Sequence, residues 1–384
     1  MNILVCLTYY RPHYSGLTIY AERLARALAE SGHQVTVLTS RYDHNLPAQI
    51  EQDGVKVMRL NVAWRVSKGV IMPSMPFQAF QLAKKADVVH LHVPQLDASY
   101  IAVLSRLIGK PVVLTYHCDL MLPKGLVHKI ANQVSHLANH VSAIAANVIV
   151  TNTRDYAEHS PFLRHYLNKV QVIQPPTELP PVSEAEIEQL RMKVGIQNDE
   201  QVIVMAARLA TEKGVEFLVQ AMPEVLERHP KARVLFVGQH ENVFGEEAYA
   251  LKLTPLIERL GKAWSFLGVL PSKELAAVFH LANVLVLPSI NSTESYGMVQ
   301  VEAMTCGTPV VATDLPGVRQ PVAMTGMGLV VPPQDAKALA HAINTILDNP
   351  VRFGGDAAAV AERFSSKTIA QQYVAIYKKL AEKS

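Results

Sequence analysis

The apolar run at residues 281–289 (LANVLVLPS) ends in Pro-Ser and leads through residues 289–304 (SINSTESYGMVQVEAM) to a Thr305-Cys306-Gly307 stop and a second apolar run at 309–312 (PVVA). A short apolar run bounded by turn residues, an amphipathic segment and another such run make the pattern of a strand–loop–helix–strand unit in a parallel sheet. In open sheets of this kind ligands bind beyond the carboxyl ends of strands, where backbone N–H groups at a helix start can hold an anion. Gly297, Met298 and Val299 stand where those N–H groups fall. Glu294 precedes the helix, and Glu302 lies about one and a half turns beyond Gly297. One carboxylate on each side of an anion-holding turn suits a ligand with hydroxyls on both sides of its phosphates, as in a nucleotide sugar. A helix cap at Glu294 and a solvated helix residue at Glu302 would account for the same pattern without any ligand.

The alternation continues along the chain. Residues 3–8, 34–39, 55–60, 87–92, 112–116, 147–151 and 170–173 read as strands, and the Pro-rich, acidic QPPTELPPVSEAE that follows reads as a linker. The pattern restarts at 202–206, then 232–238, 263–267 and 328–331. With 384 residues, 49% of them apolar and 18% charged, the chain is long enough for two domains with sizeable cores. The expected organisation is an α/β domain over 1–175, a linker over 176–200, a second α/β domain over 201–365 and a terminal helix over 366–384. A crevice between two such sheets is the expected binding place.

A net charge of +3 and a pI near 8.6 fall short of a nucleic-acid footprint and suit anionic ligands or a membrane surface. Cys6, Cys118 and Cys306 are odd in number and widely spaced, which argues for reduced thiols in the cytoplasm and against a disulfide framework or zinc site. No basic stretch precedes an apolar segment at the start, and no apolar run approaches about 18 residues, so any membrane contact is expected to be peripheral. Residues 61–76 have no clean period and read as a packed loop, with a membrane or acceptor contact as the alternative. The helical stretch 124–145 carries Lys124, His128, Lys129, His136 and His140, a solvated face or a patch for anionic lipid.

Individual side chains narrow the chemistry. Arg208 and Lys213 lie five residues apart on the loop after 202–206, where a planar fork and a point charge can converge on a pyrophosphate or remain surface charges. Gly238 ends a strand and permits close backbone approach. His90 and His92 share a strand face and read as core or crevice-lining, since no third metal ligand is near. His117 stands at the carboxyl end of its strand, a working position, whereas the adjacent Cys118 points to the opposite face and makes no catalytic pair with it.

These residues resemble the retaining GT-B glycosyltransferases of glycosyltransferase family 4, the glycosyl transferases group 1. The likeness runs through VMAARLATEKGVEFLVQAM, ARVLFVG, FLGVLPSKELAAVFHLANVLVLPS, TESYGMVQVEAMTCGTPVVATDLPG and GMGLVVPPQD, and more weakly through GHQVTVLTS, DVVHLH and LTYH. The Glu-x7-Glu pattern from Glu294 to Glu302 is its most specific mark. The resemblance implies two Rossmann-like parallel-sheet domains facing a crevice, with the C-terminal helix packing back on the first. It implies that Arg208 and Lys213 hold the donor diphosphate, that Glu294 binds the donor sugar, that Gly297, Met298 and Val299 present amides, and that Glu302 binds the ribose. Gly16 would approach the diphosphate and His117 the sugar, with no metal and no cofactor. The donor would be a UDP- or GDP-linked sugar and the acceptor a glycan, glycolipid or small molecule. Tyr9, Tyr10, His13, Tyr14 and the loop at 64–75 are the candidate acceptor contacts. The chain departs from the family at Ser15, where paired glycines are usual, and at Gln320, where glutamate is frequent. A sugar-nucleotide epimerase of the same fold and a non-catalytic nucleotide-sugar-binding subunit are the alternatives; no G-x-G-x-x-G follows a strand to suggest a dehydrogenase.

Overall fold

A computed structural model of the chain describes residues 1–66, 69–119 and 126–383. It divides into two units, Met1–Thr177 with Phe364–Ser384, and Glu178–Arg363. In the first unit the strands are β1 (Asn2–Cys6), β2 (Gln34–Arg41), β3 (Gln49–Gln52), β4 (Val55–Asn61), β5 (Trp64–Val66), β6 (Gly69–Ile71), β7 (Val88–Val93), β8 (Val112–Tyr116), β9 (Val148–Thr151) and β10 (Val170–Val172). Eight of them form one sheet in the order β10-β9-β8-β7-β1-β2-β4-β3, parallel except for β3 against β4, while β5 and β6 form a separate hairpin. The second unit holds β11 (Gln201–Ala206), β12 (Ala232–Val237), β13 (Trp264–Gly268), β14 (Val284–Leu287), β15 (Val310–Thr313) and β16 (Gly328–Val331), all parallel, in the order β13-β12-β11-β14-β15-β16.

The central strands are buried along their whole length, as in β7, β8 and β14, because helices cover both faces; this is why they read as unbroken apolar runs. Strand β3 (QIEQ) is exposed at every position and has no such signal. The hairpin β5–β6 occupies part of the stretch expected as an irregular loop: Val70, Met72 and Met75 enter the core, while Trp64 stays 64% exposed. Within the stretch expected as linker lies the helix Glu184–Val194, a member of the second unit. Ser183 and Glu186 form a capping box at its start, and Gly195, at φ 67°, ends it in the left-handed conformation.

The terminal helix Ser366–Ala381 belongs to the first unit and packs on helix Gly16–Glu30. Thr177 N–H donates to Phe364 O at 2.8 Å where the chain re-enters. Two tyrosines of the terminal helix then tie it to helix Gly16–Glu30 and to the sheet: Tyr373 OH lies 2.7 Å from Tyr20 OH and 2.9 Å from Thr115 Oγ1, and Tyr377 OH lies 2.8 Å from His90 Nδ1. All are buried. Among the described residues no helix is long and apolar enough to cross a membrane. Lys124 lies outside the described residues, and His140 is engaged by Tyr166 OH at 2.7 Å.

Removing the Tyr373 hydroxyl takes one hydrogen bond each from the buried Thr115 and Tyr20 oxygens. Tyr373→Phe is therefore expected to destabilise the protein by about 1–3 kcal/mol, measured as a lower midpoint in urea unfolding; an unchanged midpoint would contradict this anchoring.

Candidate active site

Chain order in the second sheet reverses between β11 and β14, since β12 and β13 extend to one side and β15 and β16 to the other. That reversal opens space beyond the carboxyl ends of the two strands. The loop after β11 carries Arg208 and Lys213, and the loop after β14 carries Glu294 and Gly297. The two loops close on each other. A Cβ on Gly214, at φ 65°, would sit 2.1 Å from Pro288 O, and Ile290 N–H donates to Glu212 O at 3.1 Å. Only glycine permits that approach.

Side chains complete the contact. Lys213 Nζ lies 2.5 Å from Glu294 Oε2, with both side chains largely shielded at 21% and 16% exposure. Arg208 Nη2 donates to Glu212 Oε1 at 2.9 Å and remains 46% exposed. Each cation of the site is thus held by a carboxylate. Glu246 Oε2 accepts from both Thr211 N–H and Oγ1, at 3.0 and 2.7 Å, and fixes the loop from its other side. A Cβ on Gly238 would sit 2.1 Å from Ala207 O, so this glycine lets the end of β12 shape the Arg208 loop.

Gly297 (φ 75°) caps helix Met298–Thr305 without any side-chain bond to its first turn. A Cβ there would meet Leu287 Cδ2 at 2.3 Å and Gln300 Nε2 at 2.7 Å, and Gln300 is itself pinned to Tyr296 O and Val318 O. The N–H groups of Met298 and Val299 fall in the first turn, where a helix supplies no carbonyl partner. Glu302 is buried in the same helix at 7% exposure. Burial pushes the Cys306 thiol up to about 11 and raises Cys6 further, so neither is a ready thiolate.

In the first sheet the reversal lies between β1 and β7. The loop after β1 stacks Tyr9 on His13 at 4.6 Å, with Tyr42 edge-on to both, and lays Arg11 over the Tyr14 ring at 4.1 Å. Tyr14 is 57% exposed, whereas Tyr10, expected as an acceptor contact, is buried at 5% and belongs to the core. Ser15, at the position where the family usually has glycine, caps helix Gly16–Glu30: its hydroxyl accepts from Thr18 N–H at 3.2 Å, which places Gly16 in the first turn.

His117 follows β8 and is 9% exposed, and its Nε2 lies 2.9 Å from His92 Nδ1. His90 bonds Thr115 Oγ1 at 2.7 Å through Nε2 and Tyr377 through Nδ1, so the three imidazoles bond neighbours rather than converge as a ligand set. Among the described residues no group of three or more His, Cys, Asp or Glu side chains could hold a metal ion. The residues that sequence reasoning missed are Glu212 and Glu246, partners of the cationic loop, and His92 as the partner of His117. Their signals, a carboxylate beside each cation and a second histidine on the neighbouring strand, carry meaning only once the loops and strands are placed.

Comparison with known proteins covers both units. The family model described as glycosyl transferases group 1 matches residues 186–367, and that of the glycosyl transferase 4-like domain matches residues 15–176. The chain is 28% identical to a D-inositol 3-phosphate glycosyltransferase of Corynebacterium urealyticum over 95% of this chain and 91% of that protein. Its fold matches a sucrose-phosphate synthase from Thermosynechococcus elongatus with a TM-score of 0.79 at 24% identity, covering 100% of both chains. It also matches the Anabaena protein HepE in complex with UDP and glucose, with a TM-score of 0.77 at 22% identity over 99% of this chain and 100% of that one. These solved structures share the GT-B architecture.

The chemistry open to His117 depends on its charge. Burial pushes His90 and His117 down to about 3, and His92 well below the ordinary imidazole value, with neighbouring imidazoles adding to the effect at His90 and His92. The unfolded chain therefore binds more protons than the folded one once pH falls below about 6.5, and this contribution lowers stability as pH drops. His90→Gln removes one such group. Its urea midpoint is expected to fall less than the parent's between about pH 7 and about pH 4.5; equal slopes would contradict the assignment of neutral imidazoles.

Proposed function

This chain belongs to the glycosyl transferases group 1, and we propose that it moves a sugar, with retention at the anomeric carbon, from a nucleoside-diphosphate sugar on its second unit to a hydroxyl acceptor on its first. The observation that carries this reading is the meeting of Arg208, Lys213, Glu294 and the Gly297 helix start at the β11/β14 reversal. A diphosphate needs several donors and positive charge at once. A guanidinium fork, an ammonium and first-turn N–H groups are the donors suited to it.

The carboxylates give the site its selectivity. Glu212 and Glu294 hold Arg208 and Lys213 in place. In this reading the diphosphate takes over the cations, and Glu294, released from Lys213, accepts hydrogen bonds from sugar hydroxyls. Glu302 accepts from the ribose hydroxyls, and His117 meets the sugar. As the bond between the anomeric carbon and the phosphate oxygen breaks, negative charge grows on that oxygen, where Arg208 and Lys213 stabilise it. The acceptor hydroxyl attacks from the same face, and its proton passes to the departing phosphate oxygen. UDP-linked sugars are the first donors to test because the fold neighbour HepE binds UDP and glucose. Phosphorylated polyols join lipid-linked glycans as acceptors to test because a relative is named for D-inositol 3-phosphate.

Calorimetric titration with UDP, GDP and ADP separates the two glutamates. Glu302→Ala is expected to weaken nucleoside-diphosphate binding by about 10-fold or more. Glu294→Ala should bind at least as tightly as the parent, because Lys213 loses its competing carboxylate, while transfer falls about 100-fold or more. Equal affinities for the parent and Glu302→Ala would sink that division of labour.

Because two cations stabilise the leaving group, transfer is also expected to survive excess chelator, and the product should keep the donor's anomeric configuration. Activity abolished by chelator and restored by magnesium or manganese, or an inverted product by anomeric proton coupling, would overturn this mechanism.

A further inference from the structure

The closest partner of His117 is another histidine, and the pair contains one proton between two nitrogens. His92 lies on β7, in register with Thr115 of the adjacent β8, and His117 follows two residues later, its N–H donating to Val93 O at 3.0 Å. The backbone therefore fixes how far apart the two rings stand. His92 Nδ1 and His117 Nε2 are 2.9 Å apart, with rings stacked at 19° and centroids at 5.2 Å. Tyr20 packs edge-on against His117, at 4.9 Å and 90°, and its hydroxyl is held by Tyr373 of the terminal helix. One ring thus sets the plane of His117 while the other bonds its Nε2.

We propose that His92 is a positioning residue that sets the tautomer of His117: His92 Nδ1–H donates to His117 Nε2, so the proton of His117 sits on Nδ1 and that N–H is the group offered to substrate. Two neutral imidazoles can share the contact in two ways. If His117 donated instead, His92 would carry its proton on Nε2. Among the described residues that buried atom has no hydrogen-bond partner, so the alternative leaves an orphaned N–H in the interior. The proposed assignment leaves only an unfilled acceptor there, a less severe defect because orphaned buried donors are the rarer case. Among the described residues Nδ1 of His117 has no protein partner, which keeps its proton available to a ligand oxygen. His117 then acts toward substrate as a hydrogen-bond donor and accepts no proton through Nδ1. The effect on turnover rests on the reading that His117 meets the donor sugar; the tautomer itself does not.

The test uses the full chain with 15N-labelled histidine. Two-bond proton–nitrogen correlation spectra, with His117 identified by the signal missing in His117→Gln, should show Nδ1 protonated and Nε2 bare. His92→Asn can place an amide N–H where His92 Nδ1 stood and should keep both the tautomer and most activity. His92→Leu cannot, and should lose the fixed tautomer and lower kcat by about 10- to 100-fold with nucleoside-diphosphate affinity unchanged. A proton on His117 Nε2 in the parent, or equal loss in the Asn and Leu variants, would overturn the proposal. If no nucleoside diphosphate binds while the spectra show Nδ1–H, the glycosyl-transfer reading fails and the tautomer assignment stands.

Discussion

The close approach of two loops, after β11 and after β14, is the constraint on which the rest of the second unit depends. It exists because the strands are neighbours in space although two strands and their helices separate them in sequence. Gly214 makes it sterically feasible, since a Cβ there would sit 2.1 Å from Pro288 O, and Gly297 lets the start of the following helix close on Leu287 and Gln300; both adopt positive φ. Once the loops close, Lys213 and Glu294 are brought into contact and the start of helix Met298–Thr305 lies on the same strand end. A parallel sheet with a reversal in chain order thus becomes a site with charge on fixed positions.

The Lys213–Glu294 pair is mostly shielded from water, so leaving either charge alone there would be costly, and each keeps the other in place. In the proposed reading a ligand substitutes for both partners. A ligand able to do so must bring negative charge to the lysine and hydroxyl donors to the glutamate together. Inorganic phosphate meets the first demand only, whereas a diphosphate with a sugar attached meets both. In the first unit a buried chain of hydroxyls and one imidazole, running from Tyr20 through Tyr373, Thr115 and His90 to Tyr377, anchors the terminal helix.

How much of this was legible in sequence follows from the range of the interactions. Runs such as VLVL at β14 and VVHLHV at β7 announced themselves because burial on both faces demands continuous apolar side chains. The β3 strand was silent because both its faces are wet, and helix Glu184–Val194 was hidden by the prolines before it although its capping box is a local signal. Arg208, Lys213, Glu294 and Gly297 were readable as candidates from their place after strands; that Glu294 meets Lys213 was not, since residues 81 apart in sequence pair only through the sheet. The loop position of Tyr10 says nothing of which way its side chain turns, and it turns inward. His92 looked like core and is buried, but its nitrogen reaches the neighbouring strand's His117.

A crystal structure of the chain with the tightest-binding nucleoside diphosphate is the most direct measurement. The diphosphate should lie against Arg208, Lys213 and the N–H groups of Met298 and Val299, with Lys213 detached from Glu294 and the ribose within hydrogen-bond distance of Glu302. A nucleotide bound elsewhere, or bound here with the Lys213–Glu294 contact intact, would contradict the exchange of partners on which this account rests.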